Sequence, residues 1–256
     1  MYSSQLRSDP DFVIDRHVMS DPSSLSSFLR AEKNSKSREF LLTSRVIHDL
    51  MVAAASRNYD LLVYAPTVDS DGFDLILDDR DTFLPLQLKS VISGGRATEW
   101  AIHRKLLRPA PHQIEWFGFE PSPSGEGRGG GVLLIEVKAN DNTADVVYRY
   151  TDLRILTAYW LGLITITPRT KQRLDRLRNE LSEHPSGKVD VPRTAFLKAR
   201  SPEHLLALAG LHSRFSTSWP HLLYQLARHT FEGRDLPMPE ARIRSLIEHG
   251  IQQLVE

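Results

Sequence analysis

The sequence predicts an α/β core followed by a mostly helical C-terminal part. Three observations carry this reading. Apolar residues recur at helical spacing over residues 38–57. Three short apolar runs follow, over 61–64, 73–77 and 84–90. From Asp152 onward, helical segments alternate with prolines. The chain divides accordingly into a polar N-terminal arm (1–37), a core (38–165) and a helical C-terminal region (166–256).

The arm is rich in Ser and charge, and a short helix is expected after Asp21 and Pro22 with Leu25, Phe28 and Leu29 on its apolar face. Over 38–57, Val46, Ile47, Leu50, Ala53 and Ala54 form one amphipathic stripe. Asn58, Tyr59 and Asp60 break it. Leu61 to Tyr64 reads as a buried strand ended by Pro66, and 73–77 as a second strand. Asp79, Arg80 and Asp81 turn the chain into a third strand, 84–90. Further strands are read at 100–107, 114–119, 132–137 and 146–150, with a Pro-, Ser- and Gly-rich hairpin loop over 121–131. Helices are expected at 152–163, 170–183, 202–210, 219–231 and 240–254.

Composition narrows the function classes. The 256 residues are 41% hydrophobic and 25% charged, which suits a folded domain or two. Mean hydropathy is -0.31, and no apolar run nears the ~18 residues of a membrane helix. Met1 to Ser8 lacks the apolar core of a signal peptide. The absence of cysteine excludes disulfides and thiolate metal sites and fits a cytoplasmic setting. Lys plus Arg and Asp plus Glu both total 32, so a nucleic-acid contact must be a local basic groove.

The residues that carry chemistry lie at Gly72-Phe73-Asp74 and Gln87-Leu88-Lys89-Ser90. Side chains alternate along a strand, so Gln87 and Lys89 share one face. If the two strands pair through the Asp79–Asp81 turn, a carboxylate, an amide oxygen and an ammonium converge at one end of the hairpin. Gly72 suits the tight turn before Asp74. Mg²⁺ takes oxygen ligands and keeps several waters. Asp74 and Gln87 can supply two such oxygens, and the carbonyl of Leu88 a third. Lys89, a compact cation, can orient a water or stabilise charge on a phosphate.

This arrangement resembles the PD-(D/E)XK, restriction-endonuclease-like nucleases, in which an acid precedes one strand and (Asp/Glu)-x-Lys lies on the next. The likeness covers roughly residues 38–90. The Gly-x-Asp and Gln-x-Lys-Ser form is similar to the branch of modified-DNA restriction enzymes and resolvase-like proteins. The resemblance implies a mixed sheet flanked by helices, a Mg²⁺ or Mn²⁺ cofactor, DNA as substrate, and a homodimer where two strands are cut. It implies Asp74 as the metal-binding acid, Gln87 as the second-motif residue and Lys89 as the catalytic lysine. Glu39 matches a helix acid of the family that joins the metal site. By the ~100° helical step it lies within about 40° of Val46, Leu50 and Ala53. Two features depart from the pattern: Gln87 replaces an acid, and Phe73 stands where the family has Pro.

Other readings stay open. Glu136-Val137-Lys138, with Glu120 before it, is a literal Glu-x-Lys but lacks the preceding helix and strands. Asp69 and Asp71 suit a turn. The Gly125–Gly131 run lacks the Lys-Ser/Thr ending of a phosphate loop. No His-Glu-x-x-His is present, so zinc is not expected. Arg104 and Lys105, with His103 and Arg108, are candidate phosphate contacts. So are Arg169, Arg173 and Arg176, which align on one helix face. The same fold kept as a non-catalytic module binding DNA or protein is the second hypothesis. A dimer seam at Leu205, Leu206, Leu208, Leu222, Leu223 and Leu226 is the third.

Overall fold

Burial in α2 (Ser35–Ala55) falls on Leu42, Val46, Leu50 and Ala54, one residue every four. That spacing draws a single stripe along the helix. The stripe ends where Asn58 takes φ 59° and Tyr59 N–H returns to the Ala54 carbonyl, a left-handed cap. The computed structural model describes residues 24–66, 72–121, 127–184, 186–215 and 218–256. Within them the short helix α1 (Leu25–Arg30) forms as expected with Leu29 buried, and its backbone donates to Asn140 and Asp141.

The sheet under α2 begins with β1 (Leu62–Tyr64), β2 (Leu75–Asp78) and β3 (Phe83–Ile92), each antiparallel to the one before. Asp79 holds the β2–β3 turn. It is 3% exposed, and its Oδ1 accepts from the N–H groups of Asp81 and Thr82. β5 (Gly131–Ala139) then pairs parallel with β3, β6 (Ala144–Asp152) antiparallel with β5, and β8 (Leu197–Lys198) with β6. The order is β1-β2-β3-β5-β6-β8, a six-stranded mixed sheet. Leu50 of α2 meets Leu77, Leu86, Leu133 and Tyr150 from the sheet. Leu205 and Leu206 of α6 (Pro202–Leu208) close the same apolar layer.

A parallel pair needs a crossover, and here it holds the parts the sequence reading has wrong. Residues 100–107 read as one strand; the structure divides them into β4 (Glu99–His103) and the helical turn α3 (Arg104–Leu107). Residues 114–119 read as a strand; the structure has 3₁₀ turns at Pro111–Gln113 and Glu115–Phe117, ended by Gly118 at φ 68°. Ile114 and Phe117 are both buried, and three-residue spacing suits a 3₁₀ turn. The glycine-rich segment before β5 is no hairpin loop, because β5 lies beside β3 and parallel to it. Its residues 122–126, like Asp69 and Asp71, lie outside the described residues. Gly130 is required there: a Cβ would fall 2.5 Å from the Pro85 carbonyl oxygen.

After β6 come α4 (Leu153–Trp160), still within the 38–165 core, and then the C-terminal region with α5 (Pro168–Glu183), α6, α7 (Ser218–Glu232) and α8 (Glu240–Leu254). The sequence reading misses two strands in it. β7 (Lys188–Pro192) pairs antiparallel with β4 as a separate ribbon, and β8 extends the main sheet. Five and two residues are too short a run to stand out among prolines. Leu205, Leu206, Leu208, Leu223 and Leu226 are all buried within the chain. The proposed leucine seam is therefore intramolecular packing. Among the described residues, no helix is long and apolar enough to cross a membrane.

Candidate active site

β2 starts at Leu75, and Asp74 stands one residue before it, opposite the middle of β3. Its backbone N–H donates to the Leu86 carbonyl at 2.9 Å, and its Oδ2 accepts from the Leu88 N–H at 2.6 Å. The carboxylate thus takes the place that the next residue of β2 would fill. Beyond Leu86, β3 has no strand partner on that edge among the described residues. A residue's N–H and C=O point to the same side of a strand, so the Leu88 carbonyl faces the Asp74 edge as well.

The free edge opens into a cleft of about 330 Å³. Arg38, Glu39 and Thr43 of α2 line one wall, and Asp74, Lys89 and Ser90 the other. Leu42, Leu88, Ile135 and Trp100 form its apolar surface. Glu39 lines the cleft from the first half of α2, ahead of the buried stripe that begins at Leu42, and is exposed. Asp74 and Lys89 are partly buried. The structure therefore brings Glu39, Asp74 and Lys89 to one opening.

Gln87 is not in that group. It is 6% exposed, and its Oε1 accepts from the His103 N–H at 3.3 Å, which ties β3 to β4. The residue type suits the place: a buried neutral amide with a partner costs far less than a buried carboxylate. Gly72 belongs to the same layer. It has φ 81°, and a Cβ on it would lie 2.1 Å from the His103 ring. Only glycine lets the chain pass the imidazole and deliver Asp74 to the edge.

The rival Glu-x-Lys is spent on structure. Glu136 Oε1 is held by Arg149 at 2.7 Å and Arg193 at 2.6 Å, while Lys138 and Glu120 are exposed. The basic candidates divide. Arg104 pairs with Glu180 at 3.6 Å and donates to the Ser186 carbonyl; Arg173 pairs with Glu99. Arg169 and Arg176 are exposed on α5, opposite the buried Leu174, Leu177 and Leu181, and Lys105 is partly buried. Arg108 cannot reach a phosphate: it is 1% exposed and donates to the Leu181 carbonyl. The sequence reading passes over Arg38, whose only signal is its place beside Glu39.

A larger hollow, about 490 Å³, lies at the other end of α2 between Arg45, Asp49, Tyr148, Arg200 and Glu203. Its charges neutralise one another. Arg45 and the Tyr148 hydroxyl both donate to Asp49, and Arg57 and Arg214 pair with Glu203. Burial pushes the Asp49 carboxyl up, but hydrogen bonds from Arg45, His48 and Tyr148 outweigh it and hold the group below its usual range. Size therefore does not select this hollow as the site.

Among the described residues, no three His, Cys, Asp or Glu side chains gather at metal-holding spacing. The Lys89 cleft offers two carboxylates, those of Glu39 and Asp74. Comparison of the chain with protein-family models, curated proteins and solved structures finds no match.

Proposed function

We propose that the Lys89 cleft is the active site of a metal-dependent nuclease that hydrolyses DNA phosphodiester bonds, on a PD-(D/E)XK, restriction-endonuclease-like core in its Gln-x-Lys form. The observation that carries this reading is the meeting of Glu39, Asp74 and Lys89 where β2 leaves the edge of β3. The order of one helix and three antiparallel strands supports it too.

The residues fit Mg²⁺ or Mn²⁺. A hard cation takes one or two carboxylates and fills its shell with waters. Asp74 and Glu39 would hold it, beside the Leu88 carbonyl. When bound, the ion supplies Lewis-acid polarisation of the phosphate and a more acidic water. Lys89 places a fixed cation where charge builds on the phosphate oxygens. Gln87 sets the position of β4 behind β3. The cleft is open, as a polymer substrate requires.

The test is Mn²⁺ binding by titration calorimetry, read beside nicking of supercoiled DNA. Asp74→Asn keeps an oxygen for the Leu88 N–H while removing the charge, so it should fold. Binding and nicking should both be lost in it. Binding that survives in the variant contradicts the assignment. One observation favours a second reading, a non-catalytic module that binds DNA: Gln87 turns to His103 and leaves the cleft with two acids. Wild-type protein that binds DNA and never cuts it would select that module.

A further inference from the structure

The Lys89 cleft does not end at Ser90. It shares Ser90 and Arg38 with a second hollow of about 390 Å³, whose walls carry Arg30 and Arg96. The two form one groove running from acids to arginines along the outer half of β3. Backbone carbonyls fix two of these side chains: Arg30 Nη2 donates to Ser93 at 2.7 Å, and Arg38 Nη1 to Leu29 at 2.7 Å. Arg30 also reaches the Ser26 hydroxyl at 3.4 Å. Arg96 is exposed on the β3–β4 turn. Gly94, at φ 86° beside the Arg30 guanidinium, shapes that turn.

None of Arg30, Arg38 and Arg96 has a carboxylate partner among the described residues. This sets them apart from Arg45, Arg149, Arg154 and Arg173, each of which holds an acid. In a chain of zero net charge, three uncompensated arginines at one end of a groove are a local excess that an anion can fill. A guanidinium is a planar fork that matches phosphate. Ser90, like Arg38, is shared with the acidic end, and Leu29, Val91 and Ile92 complete the wall.

We infer that this arginine end holds the DNA strand that leaves the Glu39–Asp74–Lys89 cleft, through its phosphates and without reading bases. The inference rests on the nuclease reading for what lies at the acidic end. Phosphate contacts fix register on a strand and carry no sequence information. The arginine end should therefore set affinity and salt dependence equally for all sequences.

The experiment is anisotropy of a fluorescein-labelled 20-nucleotide DNA with the full chain in EDTA, so that binding is read apart from cleavage. Wild type is compared with Arg96→Ala, with the Arg30→Gln/Arg96→Ala pair, and with Lys89→Ala. Arg96 is exposed and anchors nothing, so its variant should keep the fold if the pair does not. The expected result is a loss of roughly tenfold in affinity for the pair and a salt slope lower by about 1 per arginine removed, the same for unrelated sequences. Lys89→Ala, which removes one cation from the acidic end, should lower affinity less than the arginine pair does. Unchanged affinity and slope in both arginine variants overturn the inference, whether or not wild type cuts DNA. So does wild-type protein that binds no DNA, or that prefers RNA of the same sequence or polyglutamate. Failure of the nuclease reading has a different signature: arginine-dependent binding with no cutting by wild type.

Discussion

The two ends of β3 use the same chemistry in opposite ways. At its start, beside Gly131 and the end of β6, Asp152 is 2% exposed and pairs with Arg154 at 2.5 Å. The Tyr150 hydroxyl donates to the same carboxylate, Ile155 N–H donates to its other oxygen, and Arg154 also reaches the Ala209 carbonyl. Burial, with the Asp152 charge beside it, holds the Tyr150 hydroxyl protonated far above its ordinary range. Past the middle of β3, Glu39, Asp74 and Lys89 line a cleft instead, although the Leu88 N–H holds one oxygen of Asp74. An acid, a base and a strand end make a lock when every group finds a partner inside the fold. They make a candidate site when the fold leaves them facing a cleft.

This contrast can be broken at either end. The largest loss of stability is expected at the closed end. Asp152→Ala strands a buried guanidinium and removes the cap of α4, and should cost about 3–5 kcal/mol. Urea denaturation checks it, and a cost below ~1 kcal/mol would mean that the lock is not where the fold is held. Gly72→Ala comes next. A left-handed backbone with the His103 ring 2.1 Å from the new Cβ should cost more than ~1 kcal/mol and displace Asp74, lowering cleavage as well. Wild-type stability and cleavage in that variant would mean that Gly72 does not position the acid.

Glu136→Gln sharpens the choice between the two lysine motifs. Loosening its contacts to Arg149 and Arg193 should cost roughly 1 kcal/mol, with cleavage within about twofold of wild type. Cleavage abolished by this change would move the site to Glu136-Val137-Lys138. The smallest effect is one of pH. Burial, then the charges of Arg200 and Arg214, push the His204 imidazole below its ordinary range, with Glu203 opposing. The folded state therefore binds fewer protons than the unfolded chain. The contribution of His204 is complete above about pH 6.5 and is lost as pH falls through the folded value. The urea midpoint should drop more between pH 7.5 and 5.5 in wild type than in His204→Gln. An identical drop in both contradicts the sign.

Some of this is legible in the sequence because it is local. The ~100° step of α2 sets Glu39 within about 40° of Val46 and Leu50 without knowledge of the sheet, and the short turn at Asp79 leaves β2 and β3 little choice but to pair. Asp74 and Lys89 follow from that pairing. Gln87 does not. Strand alternation puts it with Lys89, but its partner, the His103 N–H, arrives from β4, which is anchored by β7 some ninety residues later in the chain. The arginine groove fails for the same reason: Arg30, Arg38 and Arg96 come from three elements, and no spacing links them. The 114–119 segment misleads because aromatic and β-branched composition does not distinguish a strand from a tight turn that buries every third residue.

The measurement that tests the central claim most directly is cleavage of supercoiled and linear DNA with Mg²⁺ or Mn²⁺, wild type beside Lys89→Ala. Lys89 lies on the cleft and not in the core, so the variant should unfold at the wild-type temperature. Wild type should cut, and the variant should lose at least ~100-fold of that rate, the scale expected for removing a group that stabilises transition-state charge. Cutting retained by Lys89→Ala, or absent from wild type on every DNA tried, would contradict the account.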